Sequence, residues 1–145
     1  MARIADVMSF RLVAVQPDES VQVAIARMLE ENVGSVAVCD GSRLVGMFTE
    51  RDVLRLAGQD GGGFLDVKVG DVMTRQLVTA APDDDVLSAA HMMGERRIRH
   101  LPVVQGEDVL GLIGIRDVLR VLVETLWREH DETARATARD LLRGR

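Results

Sequence analysis

The residues able to do chemistry in this chain gather in two short segments, each joining a β-prone stretch to a helix start. The first is Gly46-Met47-Phe48-Thr49-Glu50-Arg51-Asp52. Thr49 and Asp52 have the spacing of a capping box: the hydroxyl accepts from an orphan backbone N–H and the carboxylate reaches back to the cap. The same spacing suits a second task. A helix start offers free N–H groups and positive dipole to an anion. A Thr hydroxyl can donate to a phosphate, and a carboxylate one turn on can accept both hydroxyls of a ribose. The residues leave both readings open. The second segment, Gly111-Leu112-Ile113-Gly114-Ile115-Arg116-Asp117, keeps the carboxylate at Asp117. Gly114 replaces the Thr, so a helix can still start there, without the hydroxyl donor.

Cations stand close to one of these segments only. Arg96-Arg97-Ile98-Arg99-His100-Leu101-Pro102 occupies the place that Glu31-Asn32-Val33-Gly34-Ser35-Val36-Ala37 holds earlier in the chain. Arg96 and Arg97 suit a helix C-terminus, where the dipole favours positive charge. Arg99 and His100 lie nearer the apolar stretch that follows, and a converging Arg and His suit a phosphate. One half therefore supplies the hydroxyl and the other the cations. Halves packed face to face would complete one site, centred on Thr49 and Asp52, with a weaker or absent second site at Asp117.

Catalytic arrangements are missing from the pattern. His91, His100 and His130 are scattered, with no Cys or carboxylate at metal-ligand spacing. No nucleophile elbow and no Walker-type phosphate loop occurs. The carboxylate clusters Glu30-Glu31 and Asp83-Asp84-Asp85 sit at helix starts or on solvated faces. The chain reads as a non-enzyme with no metal. The single Cys39, inside Val36-Ala37-Val38-Cys39, reads as a small core residue.

The elements that must position these residues come from a repeat. Residues 4–56 align with 69–121 at a constant offset of 65, without a gap and with 19 identities in 53 pairs. Asp6-Val7-Met8 recurs as Asp71-Val72-Met73, and Arg51-Asp52-Val53-Leu54-Arg55 recurs as Arg116-Asp117-Val118-Leu119-Arg120. Each copy reads β-α-β-β-α. A β-prone stretch (Leu12–Val15; Leu77–Ala80) precedes Pro-Asp helix-start signals at Pro17 and Pro82. Apolar residues at helical spacing follow (Val21, Ala24, Ile25, Met28; Val86, Ala89, Ala90, Met93). A hairpin turns at Gly41 or Gly106, and a last helix starts near Arg51 or Arg116. Residues 57–68 read as a Gly-rich linker and 122–145 as a helical tail. Ala134, Ala136, Ala138, Leu141 and Leu142 give that tail a weak apolar face, suited to solvent or to a partner subunit. The fold class is thus α/β (α+β), with two repeats packed about a pseudo-twofold axis. Each copy alone would be marginal, so the two should share a core.

The formal charge of −5 argues against nucleic acid or an anionic membrane as the main partner. No apolar run approaches the roughly 18 residues of a membrane span, and the N-terminus lacks a signal-peptide core. A cytoplasmic location is the expectation.

On these motifs the chain resembles tandem CBS-domain proteins (Bateman modules), specifically the small stand-alone bacterial type. The resemblance covers about residues 4–123. It rests on the repeated Asp-Val-Met start, the Pro-Asp helix start, the closing Gly-x-x-Thr-x-x-Asp, and Arg99-His100-Leu101-Pro102-Val103-Val104. It implies clefts for an adenosine-containing ligand, AMP first, with ADP, ATP, NAD or S-adenosylmethionine as others. By position, Thr49 would meet phosphate and Asp52 ribose, with Arg51 in the same segment. Arg99 and His100 would meet phosphates, and Val13 and Ala37 would flank adenine. Asp117 would hold a ribose weakly or not at all. The resemblance also implies a homodimer and a regulated effector protein. The alternative is an interaction module with vestigial clefts.

Overall fold

The computed structural model describes residues 2–143, apart from the side chains of Ala138, Leu141 and Leu142; those three apolar positions and residues 144–145 of the tail lie outside it. In chain order the elements are α1 (Ile4–Val7), β1 (Ala14–Val15), α2 (Val21–Glu31), β2 (Ser35–Asp40), β3 (Arg43–Thr49) and α3 (Glu50–Asp60). A 3-10 turn at Gly63–Asp66 follows, then α4 (Val69–Val72), α5 (Val86–Arg96), β4 (His100–Gln105), β5 (Asp108–Gly114) and α6 (Ile115–Arg143).

Local chemistry explains the starts and stops. Ser20 caps α2, accepting from the Val23 N–H at 3.2 Å, and Asp85 caps α5, accepting from the Leu87 N–H at 2.7 Å. Both helices end on a left-handed residue, Asn32 at φ 53° and Arg97 at φ 54°. The hairpins turn on Gly41 (φ 63°) and Gly106 (φ 64°), where the left-handed backbone favours a residue without a Cβ. The two hairpins meet tip to tip. Arg43 pairs with Asp108, Ser42 donates to the Asp108 carboxylate at 2.7 Å, and one five-stranded sheet results, ordered β1-β2-β3-β5-β4.

Two details depart from the sequence-based expectation. α3 runs to Asp60, four residues into the segment expected to be linker. Ala57 to Asp60 keep helical hydrogen bonding until Gly61 takes a positive φ and stops it. The stretch Leu77–Ala80 forms no strand of its own and joins β4 only through the Ala80–Val103 bridge.

The larger finding is an exchange between the repeats. Ile4 and Met8, from the lead of the first copy, are buried in the core of the second, among Val86, Met93, Leu101 and Ile113. Val69 and Met73, from the lead of the second, are buried in the core of the first, with Val21, Met28, Val36 and Phe48. Backbone pairs fasten each lead: Ser9 with Leu112 (2.9 and 3.0 Å) and Thr74 with Met47 (2.9 and 3.0 Å). Glycine is required at both crossings. A Cβ on Gly111 would run into the Ser9 carbonyl oxygen, and one on Gly46 into the Met73 sulfur. A third cluster, built on Ala37, Cys39 and Met47 with Leu12, Leu77, Val109 and Leu112, lies between the halves. The shared core expected from size therefore has this form: each repeat is completed by the lead segment of the other.

Candidate functional site

The α3 start is a complete capping box. The Thr49 N–H donates to Asp52 Oδ2 at 2.9 Å, and the Thr49 hydroxyl accepts from the Asp52 N–H at 3.4 Å. Asp52 is only 6 % exposed, and its remaining capacity is taken up. The Thr74 hydroxyl approaches both carboxylate oxygens at 3.4 and 3.5 Å, and Arg55 Nη2 reaches Oδ1 at 3.4 Å. Arg55 also donates to the Val72 carbonyl at 3.3 Å. The carboxylate thus ties α3 of the first repeat to the lead of the second.

The α6 start has the same plan with fewer ties. The Gly114 N–H donates to Asp117 Oδ2 at 3.0 Å, and Arg120 reaches Oδ1 at 3.4 Å. Ser9 stands where Thr74 stands in the other half, but its hydroxyl accepts from the Arg11 N–H. The Asp117 side chain is 27 % exposed against 9 % for Asp52.

His100 belongs to this second start. A Cβ on Gly114 would lie 3.3 Å from His100 Cδ2, so the ring fills the space a threonine would need. Burial pushes the His100 pKa below its ordinary value. Asp117 opposes that shift, Arg99 adds to it, and Glu50, across from the first repeat, opposes it. At the equivalent place in the first half the small Ser35, buried, stands near Thr49 in the strand register Ser35–Thr49. Each cleft thus pairs one larger group with one smaller: Thr49 with Ser35, His100 with Gly114.

The described contacts group the expected site residues in two pairs. Thr49 and Asp52 come together, and so do His100 and Asp117. Among the described hydrogen bonds and ion pairs Asp52 does not meet Arg99 or His100 directly; Glu50, beside Thr49 in the first segment, is near enough to act on the His100 ring. Ala37 is fully buried in the cluster between the halves, so its side chain has no free face for a base. Val13 is half-buried and its carbonyl accepts from the Ala37 N–H at 3.0 Å. Arg51 and Arg99 are exposed. Among the described residues no ion pair engages Arg51, Arg99 or Arg116. Thr74 is a site residue that motif spacing does not single out. Its one signal in the sequence is its repeat partner Ser9, a second hydroxyl at the 65-residue offset.

Comparison with known proteins is decisive on the family. The model for the CBS domain matches residues 4–58 and again 69–124. The chain belongs to the CBS-domain family. This CBS pair is 38% identical over 120 residues to the CBS domain-containing protein CBSX3, mitochondrial, of Arabidopsis thaliana. That match covers 79% of this chain and spans 56% of the relative's length. The pair is 31% identical over 119 residues to the CBS domain-containing protein YhcV of Bacillus subtilis, covering 81% of this chain and 84% of that one. Its fold matches the crystal structure of the CBS domain pair of protein MJ0100 in complex with 5-methylthioadenosine and S-adenosyl-L-methionine. The TM-score there is 0.77, at 23% identity, with 86% of this chain and 98% of that one covered. Among the described residues no helix of the CBS pair is long and apolar enough to cross a membrane.

Proposed function

We propose that this CBS pair is a regulatory module, without catalysis of its own, that binds an adenosine nucleotide at the start of α6. The observation that carries the reading is the grouping of His100 with Asp117 beside Gly114. A partly exposed carboxylate can accept from a ribose diol. The α6 N-terminus, with the side chains of Arg99, His100 and Arg116 close by in sequence or space, suits phosphate. Gly114 leaves room for the imidazole. The MJ0100 pair with its two adenosine-containing ligands supports the ligand class. AMP is the first candidate, with ADP, ATP and NAD behind it.

The start of α3 is the second candidate cleft. There a ribose would have to displace Thr74 from Asp52, and with it part of the tie to the second repeat. Binding at that cleft would loosen the exchanged lead, and this gives a physical route from ligand to shape change. A homodimer in a cytosolic compartment, acting on an effector protein, completes the proposal.

The test is a melting-temperature series with AMP, ADP, ATP, NAD and adenosine. Nucleotides should raise the transition and adenosine much less. Asp117→Ala should abolish the rise, and Asp52→Ala should leave most of it. No shift with any nucleotide at millimolar concentration defeats the proposal.

A second reading, an interaction module with vestigial clefts, has one observation in its favour: Asp52 is saturated by its own neighbours. Mass spectrometry of small molecules released from the purified protein separates the two.

A further inference from the structure

The long helix α6 does two jobs along its length. Its first turns are packed: Val118 and Val121 are buried in the second core. From Leu126 to Arg143 every residue whose burial is described is exposed. Yet the exposed part carries a stripe of large apolar groups. Val123 (49 % exposed), Leu126 (64 %) and Trp127 (66 %) follow at helical spacing where the packed turns give way to it. Val123, Leu126, Trp127 and His130 line one open depression along the helix. A helix of this length draws most of its stability from packing an apolar face, and an apolar patch of this kind marks an interface.

Charge identifies what covers it. Between residues 124 and 132 the helix carries Glu124, Glu129, Asp131 and Glu132 against a single Arg128. Between 133 and 143 it carries Arg135, Arg139 and Arg143 against a single Asp140. Side by side in parallel, two such helices would set acid against acid and base against base. Antiparallel, the acidic half of each faces the basic half of the other. The boundary between the halves, Thr133 and Ala134, is made of small side chains that let two helices approach closely. Such a surface is self-complementary about a twofold, as an interface between identical chains must be.

We infer that the exposed part of α6 pairs antiparallel with the same helix of a second copy of this chain, crossing near Thr133 and Ala134. The inference rests on the homodimer reading only in taking the partner to be identical; the nucleotide clefts play no part in it.

The experiment places a spin label on the full chain, in a Cys39→Ala background, at Ala134→Cys or at Glu124→Cys. An unchanged melting curve shows that each variant folds. In the antiparallel pair the two copies of position 134 lie about 10 Å apart, the spacing of packed helices. The two copies of position 124 lie about 29 Å apart along the axis, at 1.5 Å per residue. A short distance at 134 together with a long one at 124 supports the inference. Short distances at both mean a parallel pair and overturn it. No short distance at 134 at millimolar protein also overturns it. The nucleotide-dependent melting shift is measured separately, so failure of the helix pairing leaves the ligand-binding proposal standing or falling on that shift alone.

Discussion

Gly114 and His100 occupy one space: a Cβ on the glycine would lie 3.3 Å from the imidazole Cδ2. The missing threonine of the second repeat is therefore not simply a lost hydroxyl. It is the room in which a titratable ring stands beside Asp117. Gly114→Thr should push the ring outward, relieve its burial and return its pKa toward the ordinary value near 6.5. An NMR titration of the imidazole reads this. A titration identical to wild type would show that the ring and the glycine are independent.

Burial lowers the folded-state pKa of His100, so the unfolded chain takes up a proton more readily than the folded one. The stability linked to this ring is then fully present above about pH 6.5 and is lost as pH falls through and below that value. His100→Gln should flatten part of the stability slope between about pH 7 and pH 5, where the ring titrates. A phosphate beside the ring would favour its charged form, so nucleotide binding should tighten as pH falls from about 7 toward the lowered pKa of the ring, below about 6.5. Denaturant melts and binding titrations over that range check both statements. Equal slopes for the two proteins would remove His100 from the account.

Asp52 holds a helix cap, a hydroxyl of the other repeat and Arg55 at once. Asp52→Ala should cost about 1–3 kcal/mol in chemical denaturation, from loss of the cap and of buried hydrogen bonds. Asp117→Ala, at the more exposed start, should cost less. Thr74→Val should lower stability mildly. If nucleotide enters the first cleft, the same change should strengthen binding there, because the competing hydroxyl is gone.

The glycines at the two lead crossings are steric requirements. Gly111→Ala would set a methyl against the Ser9 carbonyl oxygen, and backbone cannot step aside as a flexible side chain can. Overpacking of this kind typically costs about 1–3 kcal/mol. Gly46→Ala meets chiefly the Met73 side chain, a flexible neighbour, so it should be the milder of the two. The melting temperatures of the pair of variants decide the order.

Much of this is legible in the sequence. The 65-residue offset, the Pro-Asp helix starts, the hairpin glycines and the capping-box spacing are enough for two repeated units and the family, though not for the missing strand at Leu77–Ala80. They are local signals: turn chemistry, helix caps and apolar periodicity act within a few residues, so a linear reading reaches them. Thr49 and Asp52 are found for the same reason, being three residues apart on one helix start.

What lies beyond the sequence is what depends on long-range packing. Nothing local says that Ile4 and Met8 belong to the second core and Val69 and Met73 to the first. Nor does spacing say that Thr74 reaches Asp52, or that Ala37 is sealed between the halves. The division of labour between the clefts is the clearest case. Along the chain, nothing bars the cations of one repeat from the carboxylate of the other. In three dimensions the strand register places His100 opposite Gly114 of its own repeat, with Glu50 of the first repeat near enough to act on the ring. The sequence determined which residues the clefts have to work with. The tertiary structure decided which of them share a cleft, because only the folded chain sets the distance between groups far apart along it.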